Sequence, residues 1–285
     1  MAGGREQTPA LALRHFGPGV KDAIFRRVWG PRLTGLALVL GALGAWEVCS
    51  RLQLGGLRIW LFFVPPSRVV TTGADMIVSG QLHPHVFISL MRLLAGMGIA
   101  VLLGVFAGLV IGWWRRIDQA LGPLVELMRP MPKAALFPVL ILLTGIGEAS
   151  KIIFIAFSIF FIICINSIYG ARGVDRVLVD SLRAMGASGW QIFRKAVLPS
   201  ALSHVAVGLR ISVAASLTML TFAEMLASNS GIGFLVLLAQ RTYRYEMMFV
   251  GIFSMCLIGG TAAYLCMWVE RRVLGWYHAT RAVAG

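Results

Sequence analysis

The sequence predicts an all-α integral membrane protein with about six transmembrane helices. Hydrophobic residues make up 58% of the 285 residues and charged residues only 13%, whereas a soluble domain carries about 25% charged residues. Several uncharged runs approach the roughly 20 residues that a helix needs to cross a bilayer. The remaining charge is lopsided, with 26 Lys and Arg against 12 Asp and Glu. A chain of this length with so few charged residues lacks the surface of a soluble protein.

Six segments are predicted to span the membrane. Four of them are long and almost free of charge, namely residues 33–50, 93–114, 152–171 and 247–269. Segment 201–226 is also long enough but contains Arg210 and Glu224. Segment 134–147 is short, so residues before it must complete the crossing. Prolines would bend or break that helix, and three lie here: Pro130, Pro132 and Pro138.

The basic residues predict the orientation of these spans. Six spans place both termini on one side, which would then hold eighteen Lys and Arg against six on the other side. Because basic residues concentrate on the cytoplasmic side, we expect both termini in the cytoplasm. With five spans, Arg271 and Arg272 would fall outside, which fits the rule less well. The predicted organisation is a cytoplasmic segment 1–32, a transmembrane domain 33–270 and a cytoplasmic tail 271–285.

The net charge of +14 could instead indicate a nucleic-acid-binding protein. No aromatic–basic pattern or zinc-ligand spacing supports that function, so we expect membrane lipid and no nucleic acid as a partner. The four cysteines lie in or beside apolar runs without a C-x-x-C pair, and His83 and His85 have no third ligand nearby. We therefore expect no metal site. No catalytic cluster is visible, which disfavours a membrane-embedded enzyme.

Glycines recur every four residues in the run G-V-F-A-G-L-V-I-G, residues 104–112. They form a smooth stripe on a helix, where another backbone can approach closely. We expect this stripe to pack within the chain rather than against a second copy. No internal repeat is visible, which disfavours secondary transporters built from inverted repeats.

The polar loop between the fourth and fifth spans is the most informative segment. It reads D-R-V-L-V-D-S-L-R-A-M-G-A-S-G-W-Q-I-F-R-K-A-V-L-P-S over residues 175–200 and is too polar to cross a bilayer. Its first part predicts a short helix, which Gly186 ends in a left-handed turn. Ser188 with Gln191 forms a capping-box pattern that starts a second helix, and Pro199 ends that helix or starts the next. This helix–turn–helix could lie on lipid headgroups, connect the spans or dock a soluble partner.

The 175–200 loop resembles the E-A-A-x-x-x-G-(x)9-I-x-L-P motif of permeases of binding-protein-dependent ABC importers. Gly186 stands at the glycine position, and Asp180 takes the place of the glutamate. Leu198 and Pro199 end the motif at the expected spacing. Other residues replace the two alanines and the isoleucine of the motif: Ser181, Leu182 and Ala196.

Four further segments resemble the nitrate/taurine/alkanesulfonate type of permease: 89–96, 129–151, 208–210 and 223–235. The similarity covers about residues 60–275. It implies the type I importer permease fold, with a cytoplasmic coupling helix between spans four and five. It also implies a multi-pass subunit in the bacterial inner membrane that moves a small solute, such as a sulfonate, nitrate or organic acid. An ion-coupled secondary transporter and a non-transporting scaffold subunit stay open as alternatives.

The resemblance implies the partners as well. Two permease copies, as a homodimer, would form the pathway, and a periplasmic or lipid-anchored binding protein would deliver the substrate. Two cytoplasmic ATPases would bind ATP and Mg, because this chain has no G-x-x-x-x-G-K-[ST] phosphate loop. No catalytic residue or cofactor is expected here. The implied ATPase contact comprises Asp180, Arg183, Ala184, Gly186, Ala187, Ser188, Leu198 and Pro199.

Ionisable residues inside spans are candidates for function by default. Arg210, Thr221 and Glu224 share one helix face, since they lie within about 60° around the axis. Arg210 and Glu224 are about 21 Å apart in rise, so each needs a partner outside its own helix. Arg210 either reaches toward the cytoplasmic surface or lines a pathway for an anion. Asn166 is a further candidate for the pathway.

The run S-N-S-G-I-G, residues 228–233, follows Glu224, and its glycines allow a tight turn. We expect it at the outer mouth of the pathway, with Ser230, Gly231 and Gly233 as its residues. Arg92 and Glu47 lie near the ends of their predicted spans. From such positions a long side chain can reach the membrane surface.

Overall fold

The computed structural model describes residues 30–52 and 64–273, and within these ranges the chain is almost entirely helical. The helices are α1 Gly30–Leu52, α2 Pro66–Val78, α3 Leu82–Trp113, α4 Arg115–Met128, α5 Phe137–Thr144, α6 Glu148–Arg172, α7 Arg176–Ala184, α8 Gly189–Ile192, α9 Leu198–Ala227, α10 Ile232–Arg241 and α11 Tyr245–Val273. A short 3₁₀ turn, Lys133–Leu136, precedes α5, and a π turn, Phe193–Val197, joins α8 to α9. Most of the predicted N-terminal segment 1–32 and of the tail 271–285 lies outside the described residues.

Four of the described helices are long and apolar enough to cross a membrane: α3, α6, the continuous stretch Gly189–Ala227 and α11. A fifth crossing is present if α4 and Lys133–Thr144, which are bent by 94°, count as one broken span. The 23-residue helix α1 coincides with the first predicted span. The predicted all-α membrane fold is therefore confirmed.

The chain divides into two compact units, residues 1–70 and 71–285. In the first unit, Glu47 of α1 is bonded rather than reaching alone toward the surface. Its carboxylate accepts hydrogen bonds from Nε of Arg51 at 2.6 Å and from the backbone N–H of Ser67 at 3.0 Å. The second bond satisfies a donor in the first turn of α2, where helix N–H groups lack an internal partner.

Helix α6 is the centre of the second unit. Phe154, Ile155, Ile159 and Ile163 on this helix have no solvent-exposed surface. The most apolar 18-residue stretch of α6 is 56% buried, whereas the corresponding stretches of the other three spanning helices are only 22–33% buried. Apolar side chains on their outer surfaces are compatible with hydrocarbon, which needs no polar cover.

The glycine stripe of α3 packs against α6, as predicted. A Cβ added to Gly104 would lie 3.1 Å from Cβ of Ile163, and one added to Gly108 would lie 2.5 Å from Cβ of Ser167. Gly112 faces Ala171 in the same way. The two backbones approach so closely because glycine has no side chain at these points.

The prolines around residue 134 break the third predicted span. Pro132 precedes the 3₁₀ turn, and a proline also lies in the first turn of α5, where its missing N–H costs nothing. The chain therefore turns between α4 and α5 instead of crossing as one straight helix. Helices α2, α4 and α10 were not predicted: α2 and α4 are short and amphipathic, and α10 is only ten residues long.

The Gly108→Ala substitution is expected to destabilise the protein by about 1–3 kcal/mol, because the added methyl group overpacks the α3–α6 contact. Gly98→Ala on the same helix is the matched control, since a Cβ there would meet nothing within 4 Å. That control should be neutral or slightly stabilising, because alanine favours helix. The midpoint of thermal unfolding in detergent measures both. Equal midpoints for the two variants would contradict this account of the stripe.

Candidate functional site

The first arm of the 175–200 loop is the helix α7. The carboxylate of Asp175 accepts a 2.8 Å hydrogen bond from the N–H of Val177 and so caps its start. The helix ends at Gly186, which has φ 78°, and the N–H of Ala187 returns to the carbonyl of Leu182 at 3.0 Å. This left-handed end is the one that glycine makes at lowest cost. The predicted helix and turn are both confirmed.

The second arm begins with the predicted capping box. The N–H of Gln191 donates to Oγ of Ser188 at 3.3 Å, and the N–H of Ser188 donates to Oε1 of Gln191 at 2.8 Å. Pro199 lies in the first turn of α9 and does not interrupt the chain of helical turns. As a result, Gly189–Ala227 forms one 39-residue helical stretch that includes a membrane span.

The surface of the 175–200 loop carries apolar side chains outside any predicted span. Trp190 is 67% exposed and stacks on Phe193, with ring centroids 5.5 Å apart. Phe193 in turn contacts Trp113 at the end of α3. Further exposed apolar residues are Val177, Leu178 and Met185. Such a patch indicates a contact surface for a partner.

Most of the predicted ATPase-contact residues are exposed on this loop. Asp180, Arg183, Ala184, Gly186 and Ser188 are exposed, whereas Ala187, Leu198 and Pro199 are half-buried. Asp180 and Arg183 form an exposed ion pair at 3.2 Å. The loop is anchored on its inner side by the buried residues Ile192, Ala196 and Val197.

At the opposite end of α9, which we call the distal end, four charged residues form an ionic cluster: Arg92, Glu148, Lys151 and Glu224. Arg92 is 1% exposed and Glu224 has no exposed surface. Nε and Nη2 of Arg92 donate to the two oxygens of Glu148 at 2.6 and 2.7 Å, and Nη1 donates to Glu224 at 2.8 Å. Lys151 adds a second cation, 3.1 Å from Glu148. The cluster joins α3, the start of α6 and the end of α9, and its four charges cancel.

The 228–233 segment is bonded to this cluster. Arg92 donates to the carbonyl of Ser230 at 2.8 Å and to its Oγ at 3.1 Å. Oγ of Ser89 donates to Glu224 at 2.7 Å and accepts from the N–H of Ile232 at 2.9 Å. Glu224 also accepts from the N–H of Gly233 at 2.8 Å. Ser89 and Glu224 thus satisfy the first N–H groups of α10, which have no partner inside their own helix.

Two positions of this segment have room only for glycine. Gly231 has φ 108°, and a Cβ at this position would overlap the carboxylate of Glu224. A Cβ on Gly233 would lie 2.7 Å from the carbonyl of Thr221. The 228–233 segment is therefore shaped to lie directly against Glu224.

This geometry corrects two expectations. Arg92 does not extend alone from its helix, because its guanidinium is bonded to two carboxylates and to Ser230. Glu224 does not share a face open to a groove with Arg210, because it is enclosed in the ionic cluster. A charge inside an apolar segment signals that a partner exists, but the sequence does not show which helix supplies it. The structure also reveals a role for Ser89 and Glu148, which the sequence analysis had not singled out.

An open groove of about 440 Å³ runs between α9 and α11. Arg210, Thr218 and Thr221 provide its polar groups. Arg210 forms an ion pair with Glu270 of α11, and its side chain is 49% exposed. The remaining lining is mostly apolar or small: Val213, Ala214, Leu217, Met255, Cys256, Gly259, Gly260 and Ala263.

Two of the four predicted pathway residues, Arg210 and Thr221, therefore share this groove. Glu224 lies in the ionic cluster instead. Asn166 lies where α6 crosses α9, against Gly208, and its amide donates to the carbonyl of Ile162 at 2.7 Å. The helical face predicted from the sequence places Arg210 and Thr221 together, but its third member, Glu224, is enclosed, and Asn166 is half-buried on α6.

Residues 100–275 match the family described as binding-protein-dependent transport system inner membrane component. The match covers more than half of the chain, which therefore belongs to this family of membrane components of importers. More particularly, the protein is the permease subunit of an ATP-driven ABC importer, an inner-membrane protein that crosses the membrane several times. Curated relatives and a solved importer structure agree with this identification.

The chain is 32% identical over 277 residues to the putative aliphatic sulfonates transport permease protein SsuC of Bacillus subtilis, covering 96% of each chain. It is 34% identical over 257 residues to the protein of the same description in Escherichia coli, covering 89% of this chain and 97% of that one. It is 30% identical to the Escherichia coli taurine transport system permease protein TauC, covering 82% and 86%.

The fold is similar to that of the MetNI methionine ABC transporter in an inward-facing conformation. The TM-score is 0.59 at 18% identity, and the superposition covers 67% of this chain and 95% of the other. The type I importer permease fold expected from the sequence is confirmed. Three of the four segments that carry the family resemblance, 89–96, 129–151 and 223–235, meet in the ionic cluster.

The Glu224→Ala substitution is expected to destabilise the protein by about 3–5 kcal/mol, because it removes one partner of a buried charge pair. Asp180→Ala is the matched control, since it removes a carboxylate from an exposed pair and should cost at most about 1 kcal/mol. Thermal unfolding of detergent-purified protein and the folded yield measure the difference. Similar losses for both variants would show that burial of the cluster does not determine its contribution.

Proposed function

We propose that two copies of this chain form the membrane pathway of an importer for small organic anions. Two cytoplasmic ATPases dock on the 175–200 loops, and a periplasmic or lipid-anchored binding protein delivers the substrate at the distal end. The continuity of the 175–200 loop with α9 is the observation that carries this proposal. It links a surface suited to a soluble partner with a helix that lines the groove.

Several features support ATPase docking on the 175–200 loop. The loop is held rigidly by the bonds at Asp175, Gly186 and Ser188, yet exposes Trp190 and neighbouring apolar side chains. A large aromatic residue in an exposed patch is the kind of side chain that dominates binding energy at interfaces. ATP and Mg belong to the partner, because the chain has no phosphate-binding loop of its own.

The distribution of basic residues supports cytoplasmic termini. The side that holds the 175–200 loop carries eighteen Lys and Arg under the six-span arrangement, against six on the distal side. This bias follows the positive-inside rule. The distal end, with the 228–233 segment, then faces the binding protein.

Two observations support an anionic substrate. Relatives with 30–34% identity are described as permeases for aliphatic sulfonates or taurine. The α9–α11 groove combines the cationic Arg210 with apolar walls, which suits an anion that carries an alkyl chain. Glu270 holds the Arg210 side chain in place while half of it stays exposed. A relative with 29% identity is described as a riboflavin permease, so a larger heterocyclic substrate is the competing class.

Trp190→Ala is expected to weaken ATPase binding by about 2 kcal/mol or more, a loss of roughly thirtyfold in affinity. The measurement is retention of a co-expressed partner ABC ATPase during affinity purification of the complex. Tyr264→Ala removes an equally exposed aromatic ring from α11 and should retain the ATPase fully. If the wild-type chain retains no ATPase, or both variants behave alike, docking on this loop is wrong.

Arg210→Gln combined with Glu270→Gln is expected to lower uptake of short alkanesulfonates at least about tenfold. The double change removes the positive charge without leaving an unpaired carboxylate, so folding should survive. Uptake is measured in proteoliposomes that contain the complete complex and its binding protein. Arg241→Gln, at the exposed end of α10, is the control. Unchanged sulfonate uptake, or uptake of riboflavin alone, would overturn the anion assignment.

A further inference from the structure

We infer that Arg92 is a positioning residue for transport. It fastens the 228–233 segment to α3, α6 and α9 throughout the transport cycle, so the distal end moves as one rigid body. This inference rests on the proposed importer function. Substrate therefore enters from the distal side without any movement of the 228–233 segment away from α9.

The bonding of Arg92 is complete. Its guanidinium has five N–H donors, and the five hydrogen bonds that it makes reach Glu148 twice, Glu224 once and Ser230 twice. All five are between 2.6 and 3.1 Å. A lysine could not reproduce this arrangement, because its ammonium group is a single point of charge without a planar fork.

The 228–233 segment is held from the other side as well. Three successive backbone N–H groups, those of Gly231, Ile232 and Gly233, donate to side chains of α3 and α9. Their acceptors are Nδ1 of His85 at 3.1 Å, Oγ of Ser89 at 2.9 Å and the carboxylate of Glu224 at 2.8 Å. Lifting the segment would leave all three donors without a partner at once.

Separation of these groups is costly because Arg92 and Glu224 are almost completely enclosed. A charge in the membrane interior requires a protein partner or water, and a buried pair is strongly destabilised when one partner leaves. The 228–233 segment supplies two of the bonds to Arg92 and one to Glu224. The same steric fit that requires Gly231 and Gly233 leaves no room for water between the segment and Glu224.

The other ion pair of α9 is built differently. Arg210 and Glu270 join α9 to α11 beside the open groove, and the Arg210 side chain is half exposed. The Glu270 side chain is 12% exposed, but the pair borders an open groove instead of lying inside a closed network. The helices that move relative to each other during transport are therefore α9 and α11, while the distal end of α9 stays fixed to α3 and α6.

Cross-linking tests this difference. In a background without the four native cysteines, His85→Cys and Ser230→Cys are joined by a short thiol-specific bifunctional reagent. A second lock joins α9 to α11 through Leu217→Cys and Gly259→Cys, since a Cβ at Gly259 lies 2.6 Å from Cδ1 of Leu217. Uptake is measured per complex, before and after reduction of the link.

The distal lock is expected to leave at least about half of the uptake and of the ATPase stimulation that the same double-cysteine protein shows before cross-linking, since His85 and Ser230 themselves take part in the bonding. The groove lock is expected to reduce uptake more than tenfold, with recovery on reduction. Reversible loss of uptake caused by the distal lock would overturn the inference. Because the uncross-linked complex transports in either case, that outcome leaves the proposed importer function intact.

Arg92→Lys provides a second test in which the charge is retained. Uptake per assembled complex, and its ATPase stimulation by the binding protein, are expected to fall about tenfold, because a lysine cannot make the five bonds of the guanidinium. Arg241→Lys, on the exposed end of α10, should change neither. Normal uptake by the assembled Arg92→Lys complex, with only its thermal stability lowered, would show that Arg92 has a structural role alone.

Discussion

Hydrocarbon offers a charged side chain no partner, so each charge inside the membrane depends on what the protein places beside it. Arg92 meets this constraint because all five of its N–H groups donate hydrogen bonds to acceptors on α6, α9 and the 228–233 segment. The position of Glu224, the glycines at 231 and 233 and the start of α10 all follow from that arrangement. The distal end of the permease is thus organised around one guanidinium.

Helix α9 connects this cluster with the 175–200 loop. The helical stretch Gly189–Ala227 begins at the capping box of Ser188 and ends next to Glu224. Its two ends differ in character, because one is exposed and apolar and the other is enclosed and ionic. The α9–α11 groove lies between them. One helical stretch thus joins the proposed ATPase-docking surface to the ionic cluster.

Local features were predictable from particular residues. Ser188 and Gln191 specify a capping box, Gly186 specifies a left-handed turn, and Pro132 and Pro138 specify a break, because each acts on backbone groups within a few positions. The glycine stripe on α3 also predicted its own packing, since a smooth surface on a helix is useful only against another backbone. Helix α10 escaped prediction because ten residues give too few turns to establish a period.

By itself, the sequence determined the membrane class, the long apolar spans, the polar loop between two of them and the family. These depend on composition, run length and motifs that can be read along the chain. The tertiary structure decided that Glu224 pairs with Arg92, 132 positions away, instead of facing the groove with Arg210. A helical wheel gives the face on which a side chain lies, but not which neighbour covers that face. Only the packing of α3, α6 and α9 brings the partners of a buried charge together.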